Sequence, residues 1–72
     1  MPKKIRELKQ LLRKAKFEEI PGKGSHTNWI HPLYVGKITV SGKDSADAKR
    51  YQEKEVLSAI QQVKDSQYDQ QS

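Results

Sequence analysis

The sequence predicts an α+β fold: a two-layer α-β-β-β-α sandwich whose three-stranded antiparallel sheet carries both helices on one face. Three observations lead there. Apolar residues recur at helical spacing near both ends of the chain. Between them lie three short strand-like runs separated by proline- and glycine-bearing turns. With 72 residues there is room for one domain only. Three consecutive strands joined by short turns form a meander, and two helices on one side of it bury that face and leave the other open.

The first helix is expected over 3–15, where Ile5, Leu8, Leu12 and Ala15 make one stripe and Leu11 widens it. Pro2 suits a position before or at its first turn. Phe17 to Ile20 reads as the first strand, ended by Pro21-Gly22-Lys23-Gly24, in which proline fixes φ and glycine permits positive φ. Thr27 to His31 is the second strand, stopped by Pro32, and after a turn around Leu33–Gly36 the third spans Lys37–Val40. The polar stretch from Ser41 to Lys49 reads as loop, with Ser45 or Asp47 as a helix cap. The second helix is expected from about Gln52 to Lys64 on the spacing of Val56, Ile60 and Val63, with Leu57 and Ala59 beside them. Residues 1–65 then form the domain, and the polar residues 66–72 a tail that frays.

Composition narrows the function classes. The absence of cysteine excludes disulfides and thiolate metal sites. No apolar run approaches the ~18 residues of a membrane span, and the basic start is not followed by the apolar stretch of a secretory signal. The expectation is a soluble, cytoplasmic protein. Residues 1–16 hold Lys3, Lys4, Arg6, Lys9, Arg13, Lys14 and Lys16 against Glu7 alone, a net +6, while the rest of the chain nets −1. That asymmetry favours a polyanion such as nucleic acid. A membrane-surface helix has the same pattern, but the apolar stripe is needed for the core of so small a domain.

The two histidines, His26 and His31, flank one short tryptophan-bearing run. Strand alternation sets Trp29 and His31 on one face, under the helices, and His26 with Asn28 and Ile30 on the other. Side chains five apart on opposite faces make no metal pair. His31 therefore reads as structural. His26 stands beside Lys23, Gly24 and Ser25, where backbone amides, a charge and a hydroxyl suit a phosphate, and imidazole is suited to proton transfer near neutral pH.

Gly24-Ser25-His26 followed by His31-Pro32, between a basic first helix and the Lys37-Ile38-Thr39-Val40 strand, resembles the HicA family of small toxins in bacterial toxin–antitoxin pairs. The resemblance runs through Tyr51–Val63. It implies a fold similar to the double-stranded-RNA-binding domain and activity as an mRNA interferase, an endoribonuclease; the expected chemistry is cleavage with neither metal nor other cofactor. It further implies His26 as the catalytic histidine and a HicB-type antitoxin that covers the active face. Lys23, Gly24, Ser25, Lys37, Lys9 and Arg13 are the expected RNA and phosphate contacts, and Lys37, Tyr34 or water the candidates for a second proton carrier. Family members often carry a basic residue before the His-Pro pair, where this chain has Ile30. The rival reading is a non-catalytic RNA-binding module, which would use the same basic helix and glycine turn.

Overall fold

The computed structural model describes residues 3–71, with side chains as far as Gln67. Pro2 and Ser72, for which the sequence suggested a helix start and the end of a tail, lie outside the described residues. The element order is α1 (Ile5–Lys14), β1 (Glu18–Pro21), β2 (Thr27–His31), β3 (Tyr34–Val40) and α2 (Arg50–Gln71). The sheet order is β1-β2-β3, antiparallel throughout. This is the α-β-β-β-α arrangement with a three-stranded open sheet that the apolar patterning predicts.

One core holds it together. Ile5, Leu8 and Leu12 of α1, Val56, Ala59 and Val63 of α2, and Trp29, Ile38 and Val40 of the sheet are all buried in a single cluster. Phe17, between α1 and β1, joins it. Trp29 is fully buried, and its indole Nε1–H donates to Thr27 Oγ1 at 3.0 Å, so the one polar atom of the largest core side chain is satisfied.

α1 starts at the first residue of its apolar stripe, two residues later than the expected span of 3–15, because Lys3 and Lys4 pair with the loop that follows β3. Ala48 N–H donates to Lys3 O at 2.7 Å, and Lys4 forms a β-bridge with Asp47 and an ion pair with it at 2.6 Å. The first amides of α1 find their acceptors in the same loop, Ile5 N–H on Ala46 O at 2.9 Å and Arg6 N–H on Asp44 O at 3.2 Å. At its other end, Lys16 N–H donates to Arg13 O and Phe17 N–H to Leu12 O, the paired bonds of a Schellman motif. Lys16, at φ +72°, occupies the left-handed position that glycine usually fills.

The hairpins differ from the sequence reading in one place. β3 begins at Tyr34, three residues before the expected Lys37, because His31 already pairs with Tyr34 and the turn contracts to Pro32 and Leu33. The extra strand length is absorbed by a bulge between the Trp29–Ile38 and His31–Tyr34 pairs, where Gly36 takes φ +94° and Val35 points into solvent. β1 lies one residue further on than expected, Glu18–Pro21, with Pro21 opposite Thr27 on an edge strand that tolerates a missing N–H.

α2 begins at Arg50, and neither Ser45 nor Asp47 caps it. Asp47 is engaged by Lys4, and the cap position falls to Lys49, whose N–H meets Gln52 Oε1 at 3.4 Å. Gln52 is buried, with its Nε2 donating to Ser41 O and Ser41 Oγ, both at 3.2 Å. The helix runs on to Gln71, beyond the expected Lys64, although Val63 is its last buried residue among those whose side chains are described.

Candidate nucleic-acid interface

The loop between β1 and β2 is a closed hairpin turn. His26 N–H donates to Lys23 O and Gly22 N–H to His26 O, each at 3.0 Å. Gly24 takes φ +60° at the second position of this turn, a conformation open to glycine and strained for other residues. Gly22 is needed for a different reason. A Cβ there would stand 2.9 Å from the carbonyl oxygen of His26, closer than such atoms approach.

That close approach fixes where His26 points. The β1–β2 register pairs Pro21 with Thr27 and Ile20 with Asn28, so Gly22 and His26 continue the ladder by one step. The missing Cβ of Gly22 falls 3.5 Å from His26 Cβ, and strand alternation puts that Cβ on the side of Ile20 and Asn28, away from Trp29. His26, Lys23, Gly24 and Ser25 are all exposed. The amides of Lys23, Gly24 and Ser25 donate to no backbone acceptor within the described residues. They and the lysine are therefore available to an anion beside the imidazole.

Along the same face, Asn28 and Thr39 are opposite each other, with Thr39 Oγ1 donating to Asn28 Oδ1 at 2.8 Å. Thr39 is exposed and Asn28 half-buried; neither was proposed as a contact from the sequence, although strand parity sets Asn28 on the His26 face. Lys37 also lies on this face, but beyond Thr39 toward the far end of β3. Among the described residues, no group of three or more His, Cys, Asp or Glu side chains comes together as metal ligands would.

His31 has different surroundings. It is buried, its ring centroid lies 5.1 Å from that of Phe17, and its Nδ1 accepts the Leu33 N–H at 2.9 Å. The side chain thus closes the two-residue turn from beneath. Tyr34 sits at the same end, its ring 5.9 Å from that of Phe17 and partly buried.

Two sequence-predicted contacts are on the helix side. Lys9 Nζ donates to Asp44 Oδ1 at 2.7 Å, and its ammonium holds that carboxyl below the usual carboxylate range. Arg13 pairs with Glu19 at 3.2 Å and stacks its guanidinium 5.4 Å from the centroid of the Trp29 ring. The fold brings Lys23, Gly24 and Ser25 to His26. It does not bring Lys9 or Arg13, which lie across the sheet. A wide hollow of about 690 Å³ runs along α1, lined by Lys3, Glu7, Gln10, Leu11, Arg13 and Lys14, and it too is on the helix side.

Residues 5–63 match the family described as the HicA toxin of bacterial toxin–antitoxin systems. The match covers most of the 72-residue chain and contains the hairpin loop and both histidines, so the protein belongs to the HicA toxin family. No curated protein and no solved structure matches the chain significantly. Among the described residues, no helix is long and apolar enough to cross a membrane.

Proposed function

We propose that this toxin is an endoribonuclease that cleaves mRNA without a metal ion, with His26 as its acid–base group, and that a HicB-type antitoxin neutralises it by covering the open face of the sheet. The observation that supports the reading is an exposed His26 that closes a hairpin turn containing a lysine and three amides with no backbone acceptor. A binding module would need the amides and the lysine, and has no use for the imidazole.

In the reaction the ribose 2′-oxygen attacks the adjacent phosphorus, and the bond to the 5′-oxygen of the next nucleotide breaks. The products are a 2′,3′-cyclic phosphate and a free 5′-hydroxyl. His26 takes the 2′-hydroxyl proton or supplies one to the leaving oxygen, and water carries the other. Tyr34 is poorly placed for that second transfer, five strand positions or ~16 Å along β2. Lys23 and the amides of Gly24 and Ser25 stabilise the charge that develops on the phosphoryl oxygens. Lys37 contacts the strand further along the face. Lys9 and Arg13 serve the fold through their ion pairs.

The test compares wild type and His26→Ala on a defined single-stranded RNA in EDTA, with circular dichroism of both. Wild type should cut and His26→Ala should bind yet lose ~10²–10⁴-fold in rate. The same RNA carrying 2′-deoxyribose at the cleaved position should resist. Cutting of the deoxy substrate, or full activity of a folded His26→Ala, would overturn the proposal.

A further inference from the structure

Beside the hairpin loop is a second feature that the cleavage chemistry does not use. β2 and β3 pair Thr27 with Val40, and Thr27 Oγ1 donates to Val40 O at 3.3 Å. Ser41 follows Val40 directly, so the chain leaves β3 beside the start of β2. Ser41 and Gly42 line a cavity of about 290 Å³ together with Asp47, Lys49, Tyr51 and Gln52, and its floor is apolar, made by Ile5 and Ala46. The volume is close to the ~300 Å³ at which ligand pockets begin, the scale of a flat heterocycle.

Its lining is built to hold such a ring. Tyr51 is 61% exposed, an aromatic side chain in the first turn of α2 that contributes nothing to the core. The opposite wall is kept in place from within: Gln52 is buried and its amide grips both the carbonyl and the hydroxyl of Ser41. The Ser41 hydroxyl accepts that bond and keeps its own proton to donate. Gly42, at φ +122°, lets the chain turn over the Ile5 side chain, 3.4 Å from where a Cβ would stand. Polar groups of both kinds are therefore present, the Asp47 carboxylate as acceptor and the Ser41 hydroxyl and Lys49 ammonium as donors, around one exposed aromatic face. Stacking on an aromatic with a few hydrogen bonds at the ring edge is how unpaired bases are held.

We infer that this cavity is a nucleobase site: it takes a base of single-stranded RNA from a nucleotide flanking the phosphate at His26, stacked on Tyr51. The inference rests on the proposed nuclease reading, and it adds a place where sequence preference would arise. One strand of RNA then runs from the 23–26 turn over Ser41 to the start of α2.

The experiment uses full-length His26→Ala protein, which holds RNA without cutting it, and a short single-stranded oligoribonucleotide of mixed sequence. Amide chemical shifts are followed on titration. Residues 23–26 and Gly42, Tyr51 and Gln52 should move together, with one affinity. Tyr51→Ala should weaken binding about tenfold and Tyr51→Phe should not, since the ring and not the hydroxyl carries the stack. Tyr51 is outside the core, so both variants keep the fold. Movement confined to 23–26, or unchanged affinity in Tyr51→Ala, would overturn the base site and leave the nuclease reading standing. No binding at all, with no cleavage by wild type, would overturn both. Shifts at Gly42–Gln52 produced by the antitoxin but not by RNA would make the cavity a protein contact and overturn the inference.

Discussion

His26 and His31 are separated by the length of one strand, and that short distance puts them in opposite environments. His26 meets solvent because Gly22 and Gly24 allow a turn that no larger residue would permit. His31 is held between Phe17 and the Leu33 amide. Their substitutions should separate cleanly. His26→Ala loses cleavage at a melting temperature near wild type. His31→Ala leaves the partly buried Leu33 N–H without its acceptor and opens space beside Phe17, at a cost of ~1–3 kcal/mol. The domain has roughly 4–11 kcal/mol in all, so thermal unfolding should drop by about 5–15 °C, while cleavage measured well below that temperature persists. A His31→Ala protein with unchanged melting would mean that the turn is closed by something else.

Among the elements, α1 is the one most dependent on its neighbours. Its N-terminal amides are satisfied by the carbonyls of Asp44 and Ala46, and Lys9 anchors the same loop through Asp44. The Asp44 carboxyl is held below its usual range first by the hydrogen bond from Lys9 and then by the Lys9 charge. A carboxyl whose folded pKa is depressed contributes stability above its unfolded pKa and loses it as pH falls through the folded value. The contribution is complete at neutral pH and fades below about pH 4. Denaturation of Asp44→Asn should thus differ from wild type at pH 7, with the difference shrinking by pH 3. A gap that stays constant would assign the loop's hold to backbone bonds alone. The other end of α1 carries a different lever. Lys16 sits at φ +72°, which costs a residue with a Cβ about 1 kcal/mol. Lys16→Gly should raise the melting temperature by roughly 4–8 °C; a fall would show that the lysine side chain contributes more than its backbone costs.

The whole molecule is two-sided. One side of the sheet holds the core, both helices and the ion pairs of Lys9 and Arg13; the other carries His26, Asn28, Thr39 and Lys37. If RNA lies on the open side, its salt dependence should come from cations there. The slope of log affinity against log salt for a single strand is about −0.7 per neutralised phosphate. Lys23→Ala should make it shallower by about that amount, whereas replacing Lys9 and Arg13 together should leave it unchanged. A slope that falls only in the Lys9 and Arg13 variant would move the RNA to the helix side.

Apolar periodicity and strand parity were enough for the order of elements, the burial of Trp29 and the opposite directions of the two histidines, because those follow from local geometry at 3.6 and 2 residues per repeat. The turn glycines were legible for the same reason, since Gly22 and Gly24 mark a backbone that few residues can follow. What local pattern could not show was which charges would meet. The sequence places Lys9 and Arg13 on a cationic helix face; that Lys9 is paired there with Asp44, 35 residues away in the chain, is decided only when the loop folds over α1. The bulge at Gly36 and the early start of β3 depend likewise on which residues of β2 lie opposite. The Tyr51 cavity joins Ser41 and Gly42 to the start of α2, and no spacing in the chain announces it. Side chains distant in sequence become neighbours through packing, and so their pairing is a property of the fold.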